Sequence, residues 1–276
     1  MKIATGLLIV LMLSTLSITS AVAQEELPDP GITPDSWLYG LDRAIESLQK
    51  IFTFAPEAKA RLALQLAAER LAEAKAMAEA RKPELAVGVV SDYEAELKEA
   101  ETYGTAIADL ARKKDFEALV AKATSVHIDV LERVLEKVPD TAKPGMRHAL
   151  ERSKRGRDES LNRLGEIAPE EAAMLRFEYA EKRLNKAREK AREGNVEEAE
   201  ALVKEYKEEM NNSSEMRKRA EETGRNVTRL VELVANSTSK HLLVLQEIYE
   251  KVPDQAKPAI EKAMNVSCLL YTSPSP

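Results

Sequence analysis

The stretch Glu136-Lys-Val-Pro-Asp-Thr-Ala-Lys-Pro144 returns as Glu250-Lys-Val-Pro-Asp-Gln-Ala-Lys-Pro258, 114 residues on. Two copies of one corner at a fixed offset mark an internal duplication, and a duplicated unit is an architecture before it is a catalyst. The register extends upstream: His127 matches His241, Val130 matches Val244 and Leu131 matches Leu245. Further back the offset falls to 113, pairing Pro56 with Pro169, Arg70-Leu71 with Arg183-Leu184, Ala74 with Ala187 and Tyr93 with Tyr206. One residue inserted between about 207 and 236 reconciles the two offsets.

Outward from that corner, Pro139 closes one helix, and the segment from Asp140 to Pro144 opens the next. Apolar residues recur at helical spacing on both sides of it. Leu64, Ala67, Leu71, Ala74 and Ala78 form the seam of a helix from Pro56 to about Arg81, with Pro at its first turn, where the missing N–H costs nothing. A second helix follows Pro83 through Leu97 and Ile107 towards Arg112. A third is expected to start near Asp115 as N-cap and to carry Phe116, Leu119, Ala123, Val130, Val134 and Val138. A fourth reaches about Glu166. The second unit repeats the order from Pro169, with a break at Gly194-Asn195. An earlier helix from Pro34 to Phe52, with Leu38, Leu41, Ile45 and Leu48 in periodic positions, takes the role of the fourth. Short connections predict antiparallel neighbours. The expected fold is all-α: an elongated antiparallel helical bundle or stacked helical hairpins, built from two tandem repeats.

Composition agrees. Aromatic residues make up 4% and charged residues 32%, with net charge −6 and both signs interspersed. That suits long helices with narrow Ala/Leu/Val seams and solvated faces. No basic block points to nucleic acid.

The ends read differently. Lys2, the apolar run Ile3–Ile18 and Ala21-Val22-Ala23 spell a secretory signal peptide over 1–23, with Gln24 as the mature start. Ser267–Pro276 resembles nothing before it and reads as translated sequencing adapter, a non-native tail over 267–276 that holds the only cysteine, Cys268. The expected division is therefore 24–53 lead-in and first helix, 54–166 repeat 1 and 167–266 repeat 2. Localisation is expected to be exported, extracellular or at the cell surface.

Leu27-Pro-Asp-Pro-Gly31, then Pro34-Asp35-Ser36 and Tyr39, then Ala58-Lys-Ala-Arg-Leu62, is a distinctive opening. It resembles the exported helical family known as domain of unknown function 5667, found in archaea and bacteria. The likeness covers about residues 27–75. It implies an extracytoplasmic address and brings no catalytic residues. The second copy lacks the Leu-Pro-Asp-Pro-Gly lead-in.

Candidate chemistry is sparse. Asn211, Asn212, Asn226, Asn236 and Asn265 stand in Asn-x-Ser/Thr sequons, which after a signal peptide are glycosylation candidates. His127 and His241 sit beside apolar seams and lack a second ligand one turn away, since Leu131 and Leu245 stand there. They are expected to pack with a hydrogen bond. Almost every Glu is expected on a polar face. Trp37, Leu38 and Tyr39 are expected to staple the first helix to the bundle. No nucleophile motif or phosphate loop is present, so no catalytic, cofactor or metal residue is expected. The expected function is a non-enzymatic scaffold, spacer or adhesion-type module, pairing through helix faces with a protein partner or another copy. The alternative is an extracytoplasmic sensor or ligand-binding domain whose membrane anchor lies outside this stretch.

Overall fold

The computed structural model describes residues 27–272. The expected signal peptide and the last four residues of the expected tail lie outside the described residues. Among those described there are nine helices and no strand. They are α1 (Tyr39–Phe52), α2 (Pro56–Glu79), α3 (Pro83–Thr105), α4 (Leu110–Lys137), α5 (Lys143–Ile167), α6 (Pro169–Arg192), α7 (Val196–Glu222), α8 (Thr228–Lys251) and α9 (Lys257–Thr272).

The duplicated corners fall at like places. Val138 and Val252 end α4 and α8 with ψ 151° in both, an extended turn that the following proline favours. Asp140 takes the ammonium of Lys143 at 2.6 Å, and Asp254 takes that of Lys257 at 2.6 Å. The α2–α3 and α6–α7 turns also correspond. Lys82 N–H reaches Met77 O at 2.8 Å, and Asn195 N–H reaches Lys190 O at 2.9 Å. This C-terminal cap needs a left-handed residue. Gly194 supplies it freely at φ 79°, whereas Arg81 is forced there at φ 59°.

Hairpin α2–α3 packs on hairpin α4–α5 to make a four-helix bundle, and α6–α7 packs on α8–α9 in the same way. Helices consecutive in the chain are antiparallel, but α3 and α4 lie on the diagonal of the bundle. Spatial neighbours α2 and α4 are therefore parallel: Arg112 pairs with Glu57 near their starts and Lys137 with Glu79 near their ends. The expected antiparallel order of consecutive helices holds, and the parallel contact is between helices that are not consecutive.

The expected seam Leu64, Ala67, Leu71, Ala74 and Ala78 is buried in the first core, and Phe116, Val130, Val134 and Val138 join it. The α3–α4 break differs from expectation. α3 stops at Thr105, and Asp109, not Asp115, caps α4 by accepting the Arg112 N–H at 2.8 Å. The inserted residue falls at the matching break of the second unit, where α7 runs one turn longer and α8 starts later.

Ser267 was expected to open the non-native tail. In α9 it is buried at the position that Ser153 takes in α5, so the repeat register runs through it.

Candidate interaction surface

Each bundle core holds one buried Tyr-His-Ser node that recurs in both repeats. In the first, the Tyr93 hydroxyl lies 3.2 Å from His127 Nδ1 and 2.5 Å from Ser153 Oγ, whose own proton goes to Ala149 O at 3.0 Å. In the second, Tyr206 lies 3.1 Å from His241 Nδ1 and 2.6 Å from Ser267 Oγ, and Ser267 donates to Ala263 O at 3.0 Å. Since each serine donates to a carbonyl, the tyrosine must donate to the serine and the histidine to the tyrosine. The network thus assigns an Nδ1–H tautomer. Burial pushes His127 down to about 3 and His241 down to about 4, so both rings are neutral. No base faces the serine hydroxyl, and all three side chains are enclosed. The node fixes helix register.

Sequence reasoning foresaw a packed, hydrogen-bonded histidine and matched the two tyrosines. It missed Ser153 and Ser267, whose signal was their equal distance past the Val-Pro-Asp corner.

Between the bundles, ion pairs accompany the apolar contacts of Ala118, Leu164 and Tyr179. Arg183, fully buried on α6, binds both carboxylate oxygens of Glu132 at 2.9 Å and also Asp129, all across to α4. The Tyr179 ring lies between the guanidinium groups of Arg157 at 3.7 Å and Arg183 at 4.7 Å. Glu209 accepts from Arg157 at 2.6 Å and from Arg176 at 2.8 Å. Such buried charges are tolerated only when paired. Glu46, Glu73, Glu96, Glu117 and Glu209 are all buried, which corrects the expectation that Glu keeps to polar faces. A polar cavity of about 230 Å³ adjoins this seam, lined by Asp158, Asn162, Arg176, Asn212, Glu215 and Arg219.

At the other end of the molecule, α1 does to α2–α3 what α5 does to α6–α7. Glu96 takes Lys50 of α1 at 2.6 Å, while its counterpart Glu209 takes Arg157 of α5. Asp92 takes Arg43 of α1 at 3.2 Å, while its counterpart Glu205 takes Lys154 of α5 at 2.8 Å. Arg70, the counterpart of Arg183, is buried against Glu46 of α1, Glu73 and the Tyr39 hydroxyl.

These contacts all use the charged side of α1. Its apolar side faces out: Leu41 is 60% exposed, Ile45 48%, Leu48 53%, Ile51 64% and Phe52 70%. Trp37, at 90%, and Phe54, at 78%, flank the stripe. Tyr39 does staple α1 to the bundle, donating to Glu73 at 2.8 Å, but Trp37 does not. Leu41, Ile45 and Leu48, expected as periodic core residues, are thus exposed, while Leu38 is half-buried. The reason is energetic. Burying that stripe against α2–α3 would have left buried Glu96 without its Lys50 partner and Arg70 with Glu73 alone.

The sequons scatter. Asn211, Asn212, Asn236 and Asn265 lie within helices α7, α8 and α9, and Asn226 alone lies in a connection, exposed, accepting the Thr228 N–H at 2.9 Å. Among the described residues no three metal-binding side chains converge. No described helix is long and apolar enough to cross a membrane.

The family model described as Domain of unknown function (DUF5667) matches residues 31–141 and again 159–255, more than half of the chain. The chain belongs to that family. Both matches end at the duplicated corner, and α1 takes in the first the place that the end of α5 takes in the second. Neither curated proteins nor solved structures give a match.

Proposed function

We propose that this DUF5667 protein is an exported, non-enzymatic scaffold that makes protein contacts through the outward face of α1. One observation carries the reading: an apolar stripe is held to solvent by a helix whose Arg43, Glu46 and Lys50 pair inward with α2 and α3. Exposed apolar patches of this extent mark interaction surfaces. The rest of the molecule supports a rigid support role. Its cores are packed with apolar side chains, the Tyr-His-Ser node of each bundle is enclosed, and buried ion pairs join the repeats. Export rests on the Lys2, Ile3–Ile18 and Ala21-Val22-Ala23 pattern. On an exported chain, Asn226 is the sequon best placed for a glycan, because it is exposed in a connection instead of a regular helix.

Photo-crosslinking tests the reading. A photoreactive residue at Leu41 or Leu48 should give protein adducts on intact producing cells, and the same group at exposed Glu208 of α7 should not. Finding no protein adduct from either α1 position would overturn it.

A further inference from the structure

We propose that the occupant of the α1 face is a second copy of this chain, the two α1 helices pairing antiparallel about a two-fold axis. This rests on the interaction reading above and names its partner.

Four observations converge. First, within the exposed stripe Leu41, Ile45, Leu48 and Phe52 are spaced 4, 3 and 4, the repeat by which one helix seam fits another. Second, two residues of the stripe occupy apolar core positions. Counted from the Pro-Asp that opens each helix (Pro34, Pro139, Pro253), Leu41 stands where α5 has Met146 and α9 has Ile260. Ile45 stands where they have Leu150 and Met264. Met146, Leu150 and Ile260 are buried within bundles. The α1 stripe thus has the character of a bundle core with its opposing helices missing. Third, the area suffices. Covering Trp37, the five stripe residues and Phe54 removes on the order of 800 Å² per copy, about what each side of a stable interface contributes. Fourth, the flanks permit self-pairing. Ala44 and Gln49 are neutral, and Asp42 is the one charge beside the seam, near one end, so antiparallel pairing separates the two Asp42 residues.

A lipid surface fits less well. A helix lying on a membrane carries free Lys and Arg on its polar side. Here Arg43 and Lys50 are spent on Glu46, Asp92, Glu96 and Glu99, and net charge is −6.

In the paired form Ile45 of one copy meets Leu48 of the other, and the Trp37 end meets the Phe52–Phe54 end. Sedimentation equilibrium of the chain from Gln24 onward should give twice the chain mass at micromolar concentration. The Leu41→Glu/Ile45→Glu/Leu48→Glu variant should give the single mass, with unchanged helical circular dichroism. Because that variant could unfold, a second arm uses Ile45→Cys/Leu48→Cys in a Cys268→Ser background. Mild oxidation should join two chains, whereas Leu85→Cys on α3 should not.

A wild-type monomer at high micromolar concentration, or a dimer that survives the triple substitution with no crosslink at 45/48, overturns the proposal. So does a monomer that sediments with phosphatidylcholine or phosphatidylglycerol vesicles, since lipid would then be the occupant. A monomer whose α1 crosslinks only to other proteins overturns the dimer and leaves the interaction reading standing.

Discussion

Arg70 of α2 grips Glu46 of α1 in a buried ion pair, and with Lys50–Glu96 and Tyr39–Glu73 this link turns the charged side of the first helix inward. Glu73 at 2.8 Å and the Tyr39 hydroxyl at 2.8 Å complete the cluster. The equivalent arginine one repeat later, Arg183, reaches Asp129 and Glu132 of the preceding bundle instead. The same cation thus seats whatever lies on the N-terminal side of each unit. Removing it strands its acids: Arg183→Ala should cost about 3–5 kcal/mol, read as a lower midpoint in urea. A cost below about 1 kcal/mol would show that the ionic seam contributes little.

Burial lifts Glu73 up to about 7, against the pull of Arg70, from an ordinary value of 4.5. A raised carboxylate favours the folded state while protonated. Its contribution is therefore full below pH 4.5 and is lost as pH rises through 7. Arg70, Glu46, Tyr39 and Arg43 all act on this group. Denaturation midpoints at pH 5 and pH 7.5 should fall more in the wild type than in Glu73→Gln. Equal slopes would contradict this.

The histidines act in the opposite sense. His127 at about 3 and His241 at about 4 stay neutral in the fold, whereas an unfolded imidazole takes a proton below 6.5. Their contribution is present above 6.5 and is lost as pH falls towards 4. In NMR spectra recorded from pH 8 to 5, both ring signals should hold still. His127→Gln/His241→Gln should flatten the acid limb of the stability curve.

Ser153→Ala and Ser267→Ala should each cost about 1–3 kcal/mol, because each leaves a buried tyrosine hydroxyl without its acceptor. Equal losses in thermal unfolding would place Ser267 in the second bundle as firmly as Ser153 in the first. No loss at Ser267 would return it to the tail.

Two glycines of α3 separate packing from propensity. A Cβ on Gly104 would lie 2.2 Å from Phe116 Cε1, a buried ring, so Gly104→Ala should destabilise by about 1–3 kcal/mol. Gly88 meets nothing within 4 Å, so Gly88→Ala should stabilise by about 0.5–1 kcal/mol. Melting temperatures moving in the same direction would refute the comparison.

The duplicated Glu-Lys-Val-Pro-Asp corner, the prolines at helix starts and the Ala/Leu/Val spacing fixed the helix order, most boundaries and the two cores in advance. Those features act over a few residues, through backbone sterics and helical periodicity, so a linear reading captures them. The opening motif likewise identified the family. Periodicity could not say which side of α1 turns inward. It finds an apolar side and assumes that burial wins, whereas Arg70 and Glu96 demanded counter-charges from a helix far away in sequence. Nor could it show that Tyr, His and Ser from three helices meet, or that parallel neighbours arise when α3 crosses to α4 on the diagonal. Those outcomes depend on which desolvated charges and hydroxyls find partners, and that balance exists only once the helices are packed.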